Sequence, residues 1–286
     1  MIYFNSDYLE GAHPEIMKRL AETNMVQTVG YGEDEYCASA RARIRAACDA
    51  PDADIHFFSG GTQANTTVIA AILRPWQGVL SAASGHINCH EAGAIEATGH
   101  KVIALPTDDG KITARQIEDY VHWHRTDPSS DFIVQPGMVY ISHPTECGTL
   151  YTKSELTAIY DACQRCGLRL FIDGARLAKG RLLGIQFDAL FTDDLYLKIS
   201  RHAIDMAHQI REIFVSAGYP LLFDSPTNQQ YPILPDSDLA ELGKSFGYEY
   251  WERVDETHSG VRFCASWATT QENVDALRAA VQALKK

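Results

Sequence analysis

The sequence predicts an α/β protein in which a mostly parallel β-sheet flanked by helices precedes a small α+β C-terminal domain. Two observations carry this. Between about residues 54 and 173, short apolar runs alternate with amphipathic stretches, the pattern of crossover units that feed a parallel sheet. From about residue 192 the texture changes to one long amphipathic helix followed by short strand candidates. The change divides the chain into a large domain over 1–191 and a small domain over 192–286. With 286 residues, 45% of them apolar, there is enough material to bury such a core.

The elements follow in order. Strands are expected at 55–58, 79–82, 102–105, 138–142 and 168–172, where the apolar runs lie. Helices are expected between them at 62–73, 91–98, 113–123 and 154–166, the last ending at Gly167. The long helix covers 192–218, with Leu195, Ile199, Met206, Ile210 and Phe214 recurring at helical spacing. Strands at 220–223, 231–234, 248–253 and 261–266 and a helix at 271–284 complete the chain.

Composition excludes several classes. The net charge is −12 and no run of Lys or Arg occurs, which argues against a nucleic-acid or anionic-membrane partner. The segment MIYFNSDYLEG lacks the basic and apolar regions of a leader, and no apolar run could span a bilayer, so a cytoplasmic location is expected. Seven cysteines fit free thiols better than a disulfide framework. Cys163 and Cys166 form a CxxC inside a helix, but no second ligand pair follows, so no metal site is expected.

In open α/β sheets ligands gather beyond the carboxyl ends of the strands, and three such places carry unusual residues. Ser59-Gly60-Gly61-Thr62 opens a helix, where glycines allow close approach and free amides suit a phosphate, although such turns also need glycine for steric reasons alone. Asp173-Gly174-Ala175-Arg176 follows a strand. There the carboxylate could keep a pyridinium nitrogen protonated and the guanidinium could clamp a carboxylate, or the two could form a structural pair. Gly85 to Gly93 contains His86, suited to stacking on an aromatic cofactor and to proton exchange, with His90 and Glu91 beginning a helix. Together these are the parts that a pyridoxal-phosphate site requires.

The ordered series resembles threonine aldolases of the beta-eliminating lyase family, a branch of the aspartate-aminotransferase fold. It comprises Asn5-Ser6-Asp7, Tyr31-Gly32-Glu33-Asp34, Gly60 to Asn65, His86 to Gly93, Pro144-Thr145-Glu146-x-Gly148, Asp173 to Arg176, and Val261-Arg262. The resemblance implies that Gly61 and Thr62 hold the phosphate of pyridoxal 5'-phosphate, His86 stacks on its ring and Asp173 pairs with its nitrogen. It further implies that Ser6, Arg176 and Arg262 hold the carboxylate of a small amino-acid substrate. His86 and Glu91 would handle the proton of the substrate hydroxyl. Tyr31 would reach a neighbouring subunit's site, implying a homodimer or homotetramer with shared sites. The implied reaction cleaves threonine or allo-threonine to glycine and an aldehyde. Other reactions on the same cofactor, or a non-catalytic relative, are the alternatives.

Two departures stand out. The lysine that holds the cofactor in such enzymes lies on a further strand, and nothing here matches it. Leu177 and Ala178 lead straight into a segment resembling the helix that follows that strand. Lys179 is the one lysine nearby, and its place six residues after Asp173 suits a surface residue. Deleting internal strands would leave unpaired edges, so Leu177 and Ala178 are expected to be separated well beyond the ~3.8 Å of a peptide-bonded pair. The other departure is Phe132, which stands where a histidine is expected, so contacts to the substrate side chain would differ.

Overall fold

The computed structural model describes residues 1–174 and 180–285. Arg176, the Leu177–Ala178 junction and Lys179 lie outside the described residues. The chain forms two compact units, Met1–Phe57 with Gly180–Lys286, and Phe58–Lys179. In chain order, β1 (Ile2–Tyr3), α1 (Pro14–Thr23) and α2 (Glu35–Ala47) belong to the first. The second holds α3 (Gly61–Ile72), β2 (Gln77–Ala82), α4 (His86–Cys89), β3 (Val102–Leu105), α5 (Ala114–Thr126), β4 (Gln135–Ser142), α6 (Lys153–Cys166) and β5 (Arg169–Asp173). The first unit resumes with α7 (Gly180–Leu190), α8 (Leu195–Ser216), β6 (Gln229–Gln230), β7 (Ile233–Pro235), α9 (Asp236–Leu242), β8 (Phe246–Gly247), β9 (Glu249–Arg253), β10 (His258–Cys264) and α10 (Gln271–Ala283).

The central feature of Phe58–Lys179 is a parallel sheet in the order β3-β2-β4-β5. Successive side chains on a strand point to opposite faces, so the apolar runs supply both faces at once. Leu80, Ile103, Val139 and Ile141 pack with Ile117, Val121, Ile159 and Cys163 from α5 and α6. Val79, Val102, Met138 and Tyr140 face the other way, onto Ile69, Leu73, Ile87 and Ile95. Both helices of the first group begin with reciprocal capping boxes, Thr113 with Gln116 and Thr152 with Glu155. The second helix stops at Gly167, whose φ of 71° is the left-handed conformation that glycine adopts freely. Cys163 and Cys166 are core residues of that helix.

The other unit buries Met206, Ile210 and Phe214 of α8 with Phe263 of β10 and Val274 and Leu277 of α10. Its sheet is antiparallel, with β10 between β6 and β7 and paired also to β9. Asp188 of α7 ties this helix to α2, accepting from Ser39 Oγ at 2.5 Å and Arg43 Nε at 2.8 Å. Gly184 brings α7 against α2 so closely that a Cβ there would lie 2.6 Å from Cys37 Sγ and 2.9 Å from its amide nitrogen. Among the described residues no helix is long and apolar enough to cross a membrane.

Several elements depart from expectation. Residues 55–58 form no strand. Ile55 and Phe57 belong to the first unit, where the Ile55 carbonyl accepts from Arg41 Nε at 3.1 Å and the Phe57 ring stacks on Phe187 with centroids 5.3 Å apart, so these groups serve packing and not a ladder. Of the helix expected at 91–98 only a short 3-10 turn at Glu96–Thr98 forms, the α-helical turn α4 ending before it at Cys89. Ala92 and Gly93, at φ 51° and 76°, interrupt it with left-handed backbone. The run 231–234 is split at Pro232, which has no N–H to donate, leaving β6 and β7 on either side. At 220–223 only Leu221 pairs, through an isolated bridge to Pro232.

Candidate active site

Within Phe58–Lys179 the carboxyl ends of β2, β4 and β5 converge on one polar network. Ser142 and Asp173 are register partners at the ends of β4 and β5. The Asp173 carboxylate accepts from the Tyr140 hydroxyl at 2.5 Å and from Asn65 Nδ2 at 3.2 Å. The same Asn65 nitrogen donates to Glu91 Oε1 at 2.7 Å, and that oxygen is also 2.8 Å from His86 Nδ1. Ser142 Oγ donates to Glu146 Oε1 at 2.6 Å. His86, Glu91 and Asp173, singled out in the sequence, are thus brought together by Asn65.

The local chain geometry explains this assembly. After β2 the backbone turns at Gly85, where a Cβ would lie 2.3 Å from Ser81 Oγ and 3.0 Å from the Ala82 carbonyl. Only glycine fits that turn, which starts α4 with His86 at its first position. The left-handed backbone at Ala92 and Gly93 ends the segment that presents the Glu91 carboxyl to His86. Asn65 comes from the second turn of α3 and is fully buried.

The electrostatics follow from burial. The Glu91 side chain is fully buried, whereas that of His86 is 42% exposed. The hydrogen bond to Glu91 raises the His86 pKa above the usual histidine value, opposed by desolvation and assisted by the charges of Glu91, Glu146 and Asp173. Burial pushes the Glu146 carboxyl up and the Tyr140 hydroxyl far up, so Tyr140 stays a donor to Asp173. With Nδ1 committed to Glu91, the His86 ring has a fixed orientation and its Nε2 is the nitrogen left for proton exchange.

At α3 the N-cap is Gly60, which supplies no side-chain cap. The first amides of a helix have no partner within it, and a Cβ on Gly60 or Gly61 would meet no atom within 4 Å. The start of this 12-residue helix is therefore open for an anion on the amides of Gly61 and Thr62. Nearby, the Ser59 amide donates to Gln63 Oε1 at 2.7 Å, which fixes the turn.

The other unit carries Ser6, Tyr31 and Arg262. Arg262 Nη2 donates to the Asn5 carbonyl at 3.1 Å, next to Ser6. Ser6 Oγ and Arg262 Nε are both buried without a hydrogen-bond partner among the described residues. Unmet donors are costly when buried, and this pair suits an incoming carboxylate. Tyr31 has a left-handed backbone, φ 61°, and a fully exposed side chain. Phe132 is also exposed.

Sequence reasoning missed Asn65, Tyr140, Ser142 and Glu146 as members of the network. Asn65 lay inside the quoted Gly60 to Asn65 segment and Glu146 inside Pro144 to Gly148, but neither had a chemical role there. A polar residue closing an apolar strand, as Ser142 does, was the available signal.

A family model described as beta-eliminating lyase matches residues 4–216. The low specificity L-threonine aldolase of Pseudomonas aeruginosa is 25% identical over 334 positions, covering 95% of this chain and 94% of that protein. Those 334 positions exceed the 286 residues present, so that relative carries interior residues without a counterpart here. A solved structure of the threonine aldolase of Leishmania major superposes with a TM-score of 0.94 at 34% identity, covering 100% of both chains. A serine palmitoyltransferase of Sphingomonas wittichii, at 10% identity and a TM-score of 0.69 over 99% of this chain and 86% of that one, shares the fold.

Proposed function

The chain belongs to the beta-eliminating lyase family, and we propose that it is a pyridoxal-phosphate-dependent carbon–carbon lyase that cleaves threonine or allo-threonine to glycine and an aldehyde. The observation that carries the reading is the single network joining Asp173, Glu91 and His86 at the strand ends. The likeness to the two threonine aldolases supports the substrate class.

The residues present suit the cofactor's ring and phosphate. Asp173, held by two donors, would balance a protonated ring nitrogen, His86 would lie against the ring, and the amides of Gly61 and Thr62 would take the phosphate. When bound, the cofactor supplies a sink for the electrons released as Cα–Cβ breaks. The chain's own part is to bind and to move protons. Ser6 and Arg262, with Arg176, would hold the substrate carboxylate. His86, backed by Glu91, would take the hydroxyl proton as the Cβ–O bond becomes a carbonyl, and a returned proton at Cα would complete glycine.

Among the described lysines of Phe58–Lys179, Lys111 is paired with Glu155, and neither it, Lys101 nor Lys153 bonds to the network. The position of the lysine anchor is therefore sought by borohydride reduction of the loaded protein and peptide mapping. Exposed Tyr31 fits a homodimer or homotetramer with shared sites, and the composition fits a cytoplasmic protein. The cofactor-binding domain is taken as 1–191 and the small domain as 192–286.

The deciding experiment incubates the protein with pyridoxal phosphate and threonine and assays acetaldehyde and glycine. Aldehyde no higher than in a cofactor-free control rejects the reading. Pyruvate or ammonia from serine, without glycine from threonine, would identify another reaction on the same cofactor. Absence of any cofactor spectrum that responds to glycine would identify a non-catalytic relative.

A further inference from the structure

The geometry points to Asn65 as the positioning residue that couples the two acidic groups of this site, holding Asp173 for the cofactor ring and Glu91 for His86 with one side-chain amide. The inference rests on the proposed function for the identity of the ring, but its geometry stands alone. Asn65 is buried to 1% exposure, and its Nδ2 donates at 2.7 Å to Glu91 Oε1 and at 3.2 Å to Asp173 Oδ2. Two bonds to one nitrogen place those carboxylate oxygens within about 6 Å of each other, the range in which like charges repel appreciably. An amide nitrogen has two hydrogens and can serve both carboxylates at once. A hydroxyl has one and can serve a single carboxylate.

The remaining donors are distributed unevenly. Asp173 has a second donor in Tyr140, at 2.5 Å. Glu91 Oε1 has His86 Nδ1, while Glu91 Oε2 is buried with no hydrogen-bond partner among the described residues. Without Asn65, Glu91 would be oriented by His86 alone, and the orientation of His86 would depend in turn on Glu91. Among the described residues, the charged and titratable groups that bear on His86 are Glu91, Glu146, Asp173 and the His90 ring, whose centroid lies 5.6 Å away. Of these, Asn65 bonds to Glu91 and Asp173, so it acts on His86 through its strongest partner.

The test uses the complete chain and two readouts. One is the NMR titration midpoint of His86 in cofactor-free protein, and the other is the dissociation constant for pyridoxal phosphate from absorbance titration. Asn65→Leu is expected to lower the His86 midpoint and to weaken cofactor binding roughly ten- to hundredfold, the loss expected for a hydrogen bond to a charged group. Tyr140→Phe touches Asp173 but not Glu91, so it is expected to weaken cofactor binding while leaving the His86 midpoint in place. If Asn65→Leu does not fold, Asn65→Ser, with one donor in place of two, is expected to lose at least one readout. Retention of both wild-type values in a folded Asn65 variant overturns the inference, as does a Tyr140→Phe variant that moves the His86 midpoint as far as the Asn65 variant does. Failure of the proposed reaction leaves the His86 readout intact, so the two failures are distinguishable.

Discussion

Arg262→Ala isolates substrate binding from cofactor binding. The guanidinium lies 5.7 Å from the Trp251 ring centroid, and Nη2 is spent on the Asn5 carbonyl at 3.1 Å. Nε is buried and unmet among the described residues, so it has one charge-assisted bond to offer. A bond of that kind contributes about 1.5–3 kcal/mol, which corresponds to roughly ten- to hundredfold in affinity. Arg262→Ala is therefore expected to raise the KM for threonine by that factor without changing the dissociation constant for pyridoxal phosphate. The guanidinium is proposed to meet the amino acid's carboxylate and not the ring. Loss of the bond to Asn5 should also lower the stability of the cofactor-free protein by about 1 kcal/mol. Arg262→Lys keeps the charge but not the planar fork, and should fall between the two. Initial rates of aldehyde release across threonine concentrations, paired with absorbance titration of the cofactor, measure both constants. An unchanged KM, or a loss of cofactor affinity equal to the rise in KM, would refute the clamp.

Three further predictions concern the fold and its response to pH. The bond to Glu91 raises the His86 midpoint, so protonated His86 contributes fully below the usual histidine range and loses that contribution as pH rises through the raised midpoint. With the side chain 42% exposed, solvent screens the effect, and thermal melts of wild type and His86→Asn should differ by a small margin at low pH and converge at high pH. Glu155, held down to about 2 by the Thr152 amide and Lys111, contributes above the usual carboxylate range and loses this as pH falls toward 2, so Glu155→Gln should show a flatter acid melt. An acid limb identical to wild type would count against it. Gly184→Ala forces a Cβ against the Cys37 backbone nitrogen at 2.9 Å and should destabilise by about 1–3 kcal/mol in denaturant unfolding. A wild-type midpoint would show that α2 and α7 can part at little cost.

The parallel sheet was legible because its strands are buried on both faces and read as apolar runs. The run at 102–105 matches β3 at both ends, and those at 79–82 and 138–142 lie within β2 and β4. The Gly167 stop marked the end of α6, since local backbone conformation decides where a helix ends. His86, Glu91 and Asp173 were legible for a different reason: strand ends are where ligands gather, and these residue types carry proton and ring chemistry. The run at 55–58 is as apolar as the others, yet forms no strand, because nothing in its composition says whether its groups meet a ladder or Arg41 and Phe187. Asn65, Tyr140 and Ser142 were beyond reach of the sequence on the same ground. A hydrogen bond joins residues such as Asn65 and Asp173, separated by 108 positions, only once the folded chain brings the start of α3 to the end of β5, and no local pattern encodes that meeting.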